Sequence, residues 1–179
     1  MVKYNSKKIG LLGGSFDPPH KGHLFISNKS FKLFHLDKVI WAITKKNPLK
    51  NKPFFSLNFR KKMCLKLIKR NKNIQLKFYE DKVKSKNSIF LIKYLKKRIN
   101  CEIFFIIGSD NLINLHKWKN YRELIKMTKI IVFSRKGFDT KAKKSVIMRY
   151  LKPKNIKFLK NSHVDISSTE LRKRIKNGS

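Results

Sequence analysis

The chain reads as an α/β protein built on a doubly wound parallel sheet, and three observations predict it. Short apolar runs of strand length alternate with stretches of helical spacing along all 179 residues. One run, residues 103–107, is apolar without interruption, the pattern of a strand covered on both faces by the helices of a parallel sheet. The first run, residues 9–12, feeds into a glycine pair and a helix start carrying two histidines. In such folds ligands bind at the carboxyl ends of the strands, so this junction is the first place to look for a site.

Taken in order, residues 9–12 form the first strand, and Leu24, Phe25, Phe31 and Phe34 give the next segment an amphipathic helical face. Residues 39–43 are a second buried strand ending at Thr44, followed by a loop with lysines and prolines, 45–53. Residues 57–68 are helical by the spacing of Leu57, Met63, Cys64, Leu67 and Ile68, and 74–79 half-alternate as a strand. A helix opens near Ser88, with Ile89, Phe90, Ile92, Leu95 and Ile99 apolar. The strand at 103–107 stops at Gly108-Ser109-Asp110-Asn111. Asn120 and Glu123 have the spacing of a capping box for a short helix through Met127. Residues 130–133 form a strand, 141–151 a helix, 156–159 a last strand and 168–175 a last helix. With no repeat, linker or compositional break, one domain spanning 1–179 is expected.

Composition narrows the class. The hydrophobic fraction, 41%, supports a real core, and the longest apolar runs are far too short for a membrane span or a signal peptide, so a cytoplasmic protein with no membrane partner is expected. Cys64 and Cys101 lack metal-site spacing and read as reduced, partly buried fillers. Lysine and arginine number 45 against 10 acidic residues, a formal charge of +35. The lysines are scattered through every segment rather than gathered on one face. This fits a codon bias toward Lys and Asn better than a specific nucleic-acid surface, with nonspecific polyanion affinity expected at low salt.

The chemistry concentrates in Gly13-Gly14-Ser15-Phe16-Asp17-Pro18-Pro19-His20-Lys21-Gly22-His23. Two glycines at a strand end let the backbone turn and let a ligand approach without a Cβ in the way. Pro18 and Pro19 suit the approach to a helix start. His20 and His23, three residues apart at that start, share one face beside the free amides and positive dipole end, a combination suited to phosphate. Gly22 between them leaves room for something bulky. This stretch resembles the signature of the HxGH nucleotidylyltransferases, a Rossmann-like superfamily that transfers a nucleotidyl group from ATP or CTP. The resemblance implies that His20 and His23 donate to a triphosphate, with Gly13, Gly14, Ser15, Phe16 and Gly22 lining the same site.

A second motif lies at the other end, Ile166-Ser167-Ser168-Thr169-Glu170-Leu171-Arg172. Ser167 and Glu170 are spaced as a capping box, while Ser168, Thr169 and Arg172 add hydroxyls and a guanidinium suited to phosphate oxygens. The segment is similar to the superfamily's ISSTxxR motif, which binds the ATP phosphates, with Leu171 in place of the commoner isoleucine. Two helix starts separated by most of the chain would then converge on one triphosphate.

The segment Gly108-Ser109-Asp110-Asn111-Leu112, followed by Leu115, Trp118 and Tyr121, resembles the GxDN…L..W segment of the bacterial nicotinate-nucleotide adenylyltransferases. The likeness extends to Asn47-Pro48-Leu49-Lys50 and Ser134-Arg135-Lys136-Gly137 and covers nearly the whole chain. It implies transfer of AMP from ATP, carried with Mg²⁺, to nicotinate mononucleotide. In that reading Trp118, partly exposed between Lys117 and Lys119, stacks on the pyridine ring. Lys50 contacts phosphate, since Leu49 stands where many relatives carry a histidine. Gly108 and Arg135 belong to the site, and Asp110 either accepts from ribose hydroxyls or holds its loop. Ser88 keeps the hydroxyl of a family Tyr-Thr pair whose aromatic is replaced by Asn87. The chain stops at Ser179, where many relatives carry another helix, so it is a short form or has lost an end. The alternatives are phosphopantetheine adenylyltransferase or a cytidylyltransferase, against which the GxDN and Trp118 segment argues, and a basic nucleic-acid-binding module retaining an inactive fold.

Overall fold

A computed structural model describes residues 6–47, 52–151, 154–160 and 168–176, excepting the side chains of Tyr150, Leu151 and Lys176. In chain order the elements are β1 Lys7–Gly14, α1 Lys21–Leu33, β2 Lys38–Ile43, α2 Leu57–Ile68, β3 Ile74–Phe78, α3 Glu80–Val83, α4 Ser88–Arg98 and β4 Cys101–Gly108. They continue with α5 Ser109–Asn114, a 3₁₀ turn Leu115–Lys117, α6 Tyr121–Met127, β5 Lys129–Phe133, α7 Asp139–Lys143, a π-helical turn Ile147–Leu151, β6 Ile156–Leu159 and α8 Ser168–Lys176.

All six strands are parallel, in the order β3-β2-β1-β4-β5-β6. This is a Rossmann-like doubly wound sheet, and its order reverses between β1 and β4, where a crevice opens at the carboxyl ends of the strands. The sheet explains the uninterrupted apolar run of β4. Ile103, Phe105 and Ile107 pack on one face with Ile89, Ile92 and Leu95 of α4 and Leu124 and Ile125 of α6. Phe104 and Ile106 pack on the other with Cys64 and Ile68 of α2 and the apolar side of α1. Successive side chains of a strand point to opposite faces, so a strand covered on both sides cannot alternate with polar residues. Cys64 and Cys101 are free and buried, as expected of fillers, and burial pushes the Cys64 thiol up to about 12.

Two local readings are corrected. Residues 141–151 are not one helix: α7 ends at Lys143 and a separate π-helical turn follows. Ala142 and Ile147 are both fully buried, and five residues along one α-helix would set them about 140° apart, so the chain breaks to bury both. Asn120 does precede α6, but it sits in the left-handed region (φ 52°) with no side-chain cap, and Glu123 pairs with Lys93 at 2.8 Å instead of completing a capping box.

Candidate active site

β1 ends in Gly13 and Gly14, aligned with Ala42 and Ile43 of β2, and Thr44 N donates to Gly14 O at 3.1 Å. A Cβ on Gly13 would meet nothing within 4 Å, so the missing side chain leaves space for a ligand. The turn itself is made by a different residue. Phe16 takes φ 48°, stacks on Trp41 at 4.9 Å and is 2% exposed, so of this residue only the backbone is available to a ligand. Asp17 follows, almost fully buried, accepting from Phe54 N at 2.7 Å and Phe55 N at 2.9 Å.

His20 is the N-cap of α1, and both imidazoles face inward along Nδ1. Gly22 N donates to His20 Nδ1 and His20 N donates to His23 Nδ1, each at 3.2 Å. A neutral imidazole whose Nδ1 accepts carries its proton on Nε2, so the backbone sets both rings as Nε2–H donors. The two rings lie 3.9 Å apart, and His23 packs against Phe16 at 4.9 Å and Trp41 at 5.9 Å. Burial, and secondarily the charge of Arg135, lower His20 to about 4, against the opposing pull of Glu170. His20 therefore stays a neutral donor throughout the neutral range.

This has a consequence for folding. Between pH 6.5 and about 4 the unfolded chain binds a proton at His20 that the folded chain refuses, so His20's contribution falls as the pH is lowered through that window and is intact above it. Melting temperatures across pH 4–7 should fall less steeply for His20→Gln than for wild type; parallel curves would refute the shift.

The two terminal motifs meet. Ser168 Oγ donates to Pro18 O at 2.9 Å, Arg172 Nη1 donates to Asp17 O and lies 3.6 Å from Asp17 Oδ2, and Arg172 Nη2 donates to Thr169 Oγ1 at 3.1 Å. Ser168 and part of the Arg172 guanidinium thus grip the histidine turn rather than being wholly available to a ligand. A guanidinium has five N–H donors, so Arg172 retains capacity for phosphate. Ser167 and Lys50 lie outside the described residues.

Arg135 pairs with Asp110 at 2.7 Å, while its own amide donates to Ser109 Oγ and Asp139 Oδ1, each at 3.0 Å. Asp110 Oδ2 is taken by Arg135, and its buried Oδ1 has no hydrogen-bond partner among the described residues. A Cβ on Gly108 would fall 2.4 Å from Asp110 Oδ1, which explains the glycine.

On the other side of Gly13 and Gly14 lies a cavity of about 990 Å³, its open mouth included. Thr44, Tyr79, Ser88, Lys119 and Trp118 line it, with Asn87 beside Ser88. Trp118 is partly buried as expected, meets Phe105 edge to face at 6.0 Å, and has an indole N–H without a partner. The glycine pair is the seam between this apolar-walled cavity and the imidazole turn.

Sequence reasoning gave no role to Asp17 or Glu80 and did not consider Arg60. Arg60 had a readable signal: it lies at i, i+4, i+8 with Cys64 and Ile68, on the buried stripe of α2, where a charge needs a reason.

A cytidylyltransferase-like family model matches residues 11–174. The chain is 48% identical to a probable nicotinate-nucleotide adenylyltransferase of Pelagibacter ubique, over 93% of this chain and 92% of that protein. It is 36% identical to one from Clostridium tetani, over 96% and 88%. A Plasmodium falciparum nicotinic acid mononucleotide adenylyltransferase complexed with NaAD shares the fold, with a TM-score of 0.72 at 23% identity over 93% of this chain and 83% of that one.

Proposed function

The chain belongs to the nicotinate-nucleotide adenylyltransferase family, within the cytidylyltransferase-like group, and from that premise we infer that it transfers AMP from ATP to nicotinate mononucleotide. The products are deamido-NAD and pyrophosphate. An oxygen of the mononucleotide phosphate attacks the α-phosphorus of ATP, and the bond from that phosphorus to the bridging oxygen of pyrophosphate breaks. Such a transfer needs alignment and stabilised charge rather than an activated side-chain nucleophile.

The residues support this division of labour. The His20 and His23 Nε2–H groups at the start of α1 serve the triphosphate, joined by Arg172 and the hydroxyls of Ser167 and Thr169. Ser15, Lys50 and Arg135 add phosphate contacts, and the cavity between Gly13 and Trp118 takes the pyridine end, with Ser88 on its wall. Mg²⁺ enters on ATP and neutralises phosphate charge when bound. The Asp17 carboxylate is already engaged with two backbone amides and Arg172, one oxygen of Asp110 is paired with Arg135, and among the described residues no three ligating side chains cluster to hold an ion.

The observation that carries the reading is the contact of Ser168 and Arg172 with Pro18 and Asp17, which brings the two motifs to one place. Trp118→Ala tests the assignment of the halves in a pyrophosphate-release assay. The KM for nicotinate mononucleotide should rise about tenfold, the loss of one aromatic–pyridinium contact, with the KM for ATP unchanged. An unchanged mononucleotide KM would refute the stacking role.

A further inference from the structure

We propose that Arg60, with Glu80, is a positioning residue for the transfer step, clamping the acceptor cavity to the phosphate turn. The inference rests on the reaction proposed above. Arg60 is 1% exposed, and four backbone carbonyls accept from it. Nε donates to Phe55 O at 3.0 Å, Nη1 to Thr44 O at 2.9 Å and also to Ser15 O, and Nη2 to Lys45 O at 3.0 Å.

These carbonyls belong to three separate segments of the crevice. Ser15 is in the turn between the glycines and Phe16, and Thr44 and Lys45 form the lip where β2 enters the cavity. Phe55 follows Phe54 in the segment whose amides Asp17 holds. Glu80 grips the same lip from its other side, accepting from Thr44 Oγ1 and, at 3.1 Å, from Lys45 N.

Burying a guanidinium is costly, and an apolar side chain would fill the space without that cost. What only the planar fork supplies is four directed bonds that fix three loops relative to one another. Ser15 lies on the ATP side of the glycine seam and Thr44 on the acceptor side, so this cross-link sets the distance and angle between the two reacting phosphates. Alignment of that kind governs kcat, because each substrate can still bind its own half when the halves are out of register.

The test is pyrophosphate release by Arg60→Lys, expressed per folded molecule with the folded fraction taken from circular dichroism at the assay temperature. A lysine keeps the charge but not the fork. The expected result is a kcat at least tenfold lower, with the KM for ATP and for nicotinate mononucleotide each within about threefold of wild type. Wild-type kcat per folded molecule would assign Arg60 to stability alone and overturn the proposal. Should Arg60→Lys fail to fold, Glu80→Ala answers the same question from the rim, with lowered kcat and unchanged KM for ATP expected, and unchanged kcat overturning the proposal. Wild type run alongside separates this from the underlying reading: if it releases no pyrophosphate from the pair of substrates, the reaction is wrong rather than the positioning.

Discussion

Replacing His23 with alanine lowers kcat by about a hundredfold or more while leaving the melting temperature within a few degrees of wild type. The His23 imidazole is only partly buried, and its removal costs one edge of the larger apolar cluster around Phe16 and Trp41 together with the acceptor of the His20 amide. In the proposed transfer its chemical value is disproportionate. Nδ1 takes the His20 amide, which leaves the proton on Nε2, and the ring is braced so that no reorganisation is needed as charge develops on the departing pyrophosphate. Steady-state kinetics and a thermal melt on one preparation check this. A loss of stability in proportion to the loss of turnover would return His23 to a packing role.

Asp17→Asn has the second large effect, and it falls on stability and activity together. The Asp17 carboxylate accepts two backbone amides, from Phe54 and Phe55, and faces the Arg172 guanidinium at 3.6 Å. An asparagine offers one acceptor oxygen and no charge, so one part-buried amide loses this acceptor and Arg172 loses its counter-charge. The expected destabilisation is about 1–3 kcal/mol, read from urea denaturation. The same change loosens α8 from the histidine turn, so the KM for ATP rises more than that for the mononucleotide. An Asp17→Asn protein that unfolds with wild type and keeps its ATP KM would show that neither contact carries weight.

These expectations draw on two kinds of information. The strand and helix order was legible because local periodicity encodes it. The residue pattern of β4 requires helices on both faces, α2 spans 57–68 as its apolar spacing indicates, and His20 and His23 share a face because three residues nearly complete a helical turn. Motif resemblance added the order of the site along the chain.

Where local signals compete with distant packing, the structure departs from the sequence expectation. The glycine pair suggests a turn that Phe16 makes instead, because the Trp41 face rewards burying the phenyl ring even at positive φ. Asn120 and Glu123 have capping-box spacing, yet Glu123 finds Lys93 across a helix interface. The 141–151 helix was split so that Ala142 and Ile147 could both reach the core.

What the sequence by itself determined was the alternation that builds a parallel sheet and the residue types at its carboxyl edge, since both follow from periods of two and 3.6 residues and from side-chain chemistry. The tertiary structure alone decided that Ser168 and Arg172 close on Pro18 and Asp17 across 150 residues or more, that Asp110 holds Arg135, and that Arg60 joins three loops through their carbonyls. Backbone carbonyls are identical at every residue, so the order of side chains can mark Arg60 as buried on its helix but cannot name the carbonyls it joins.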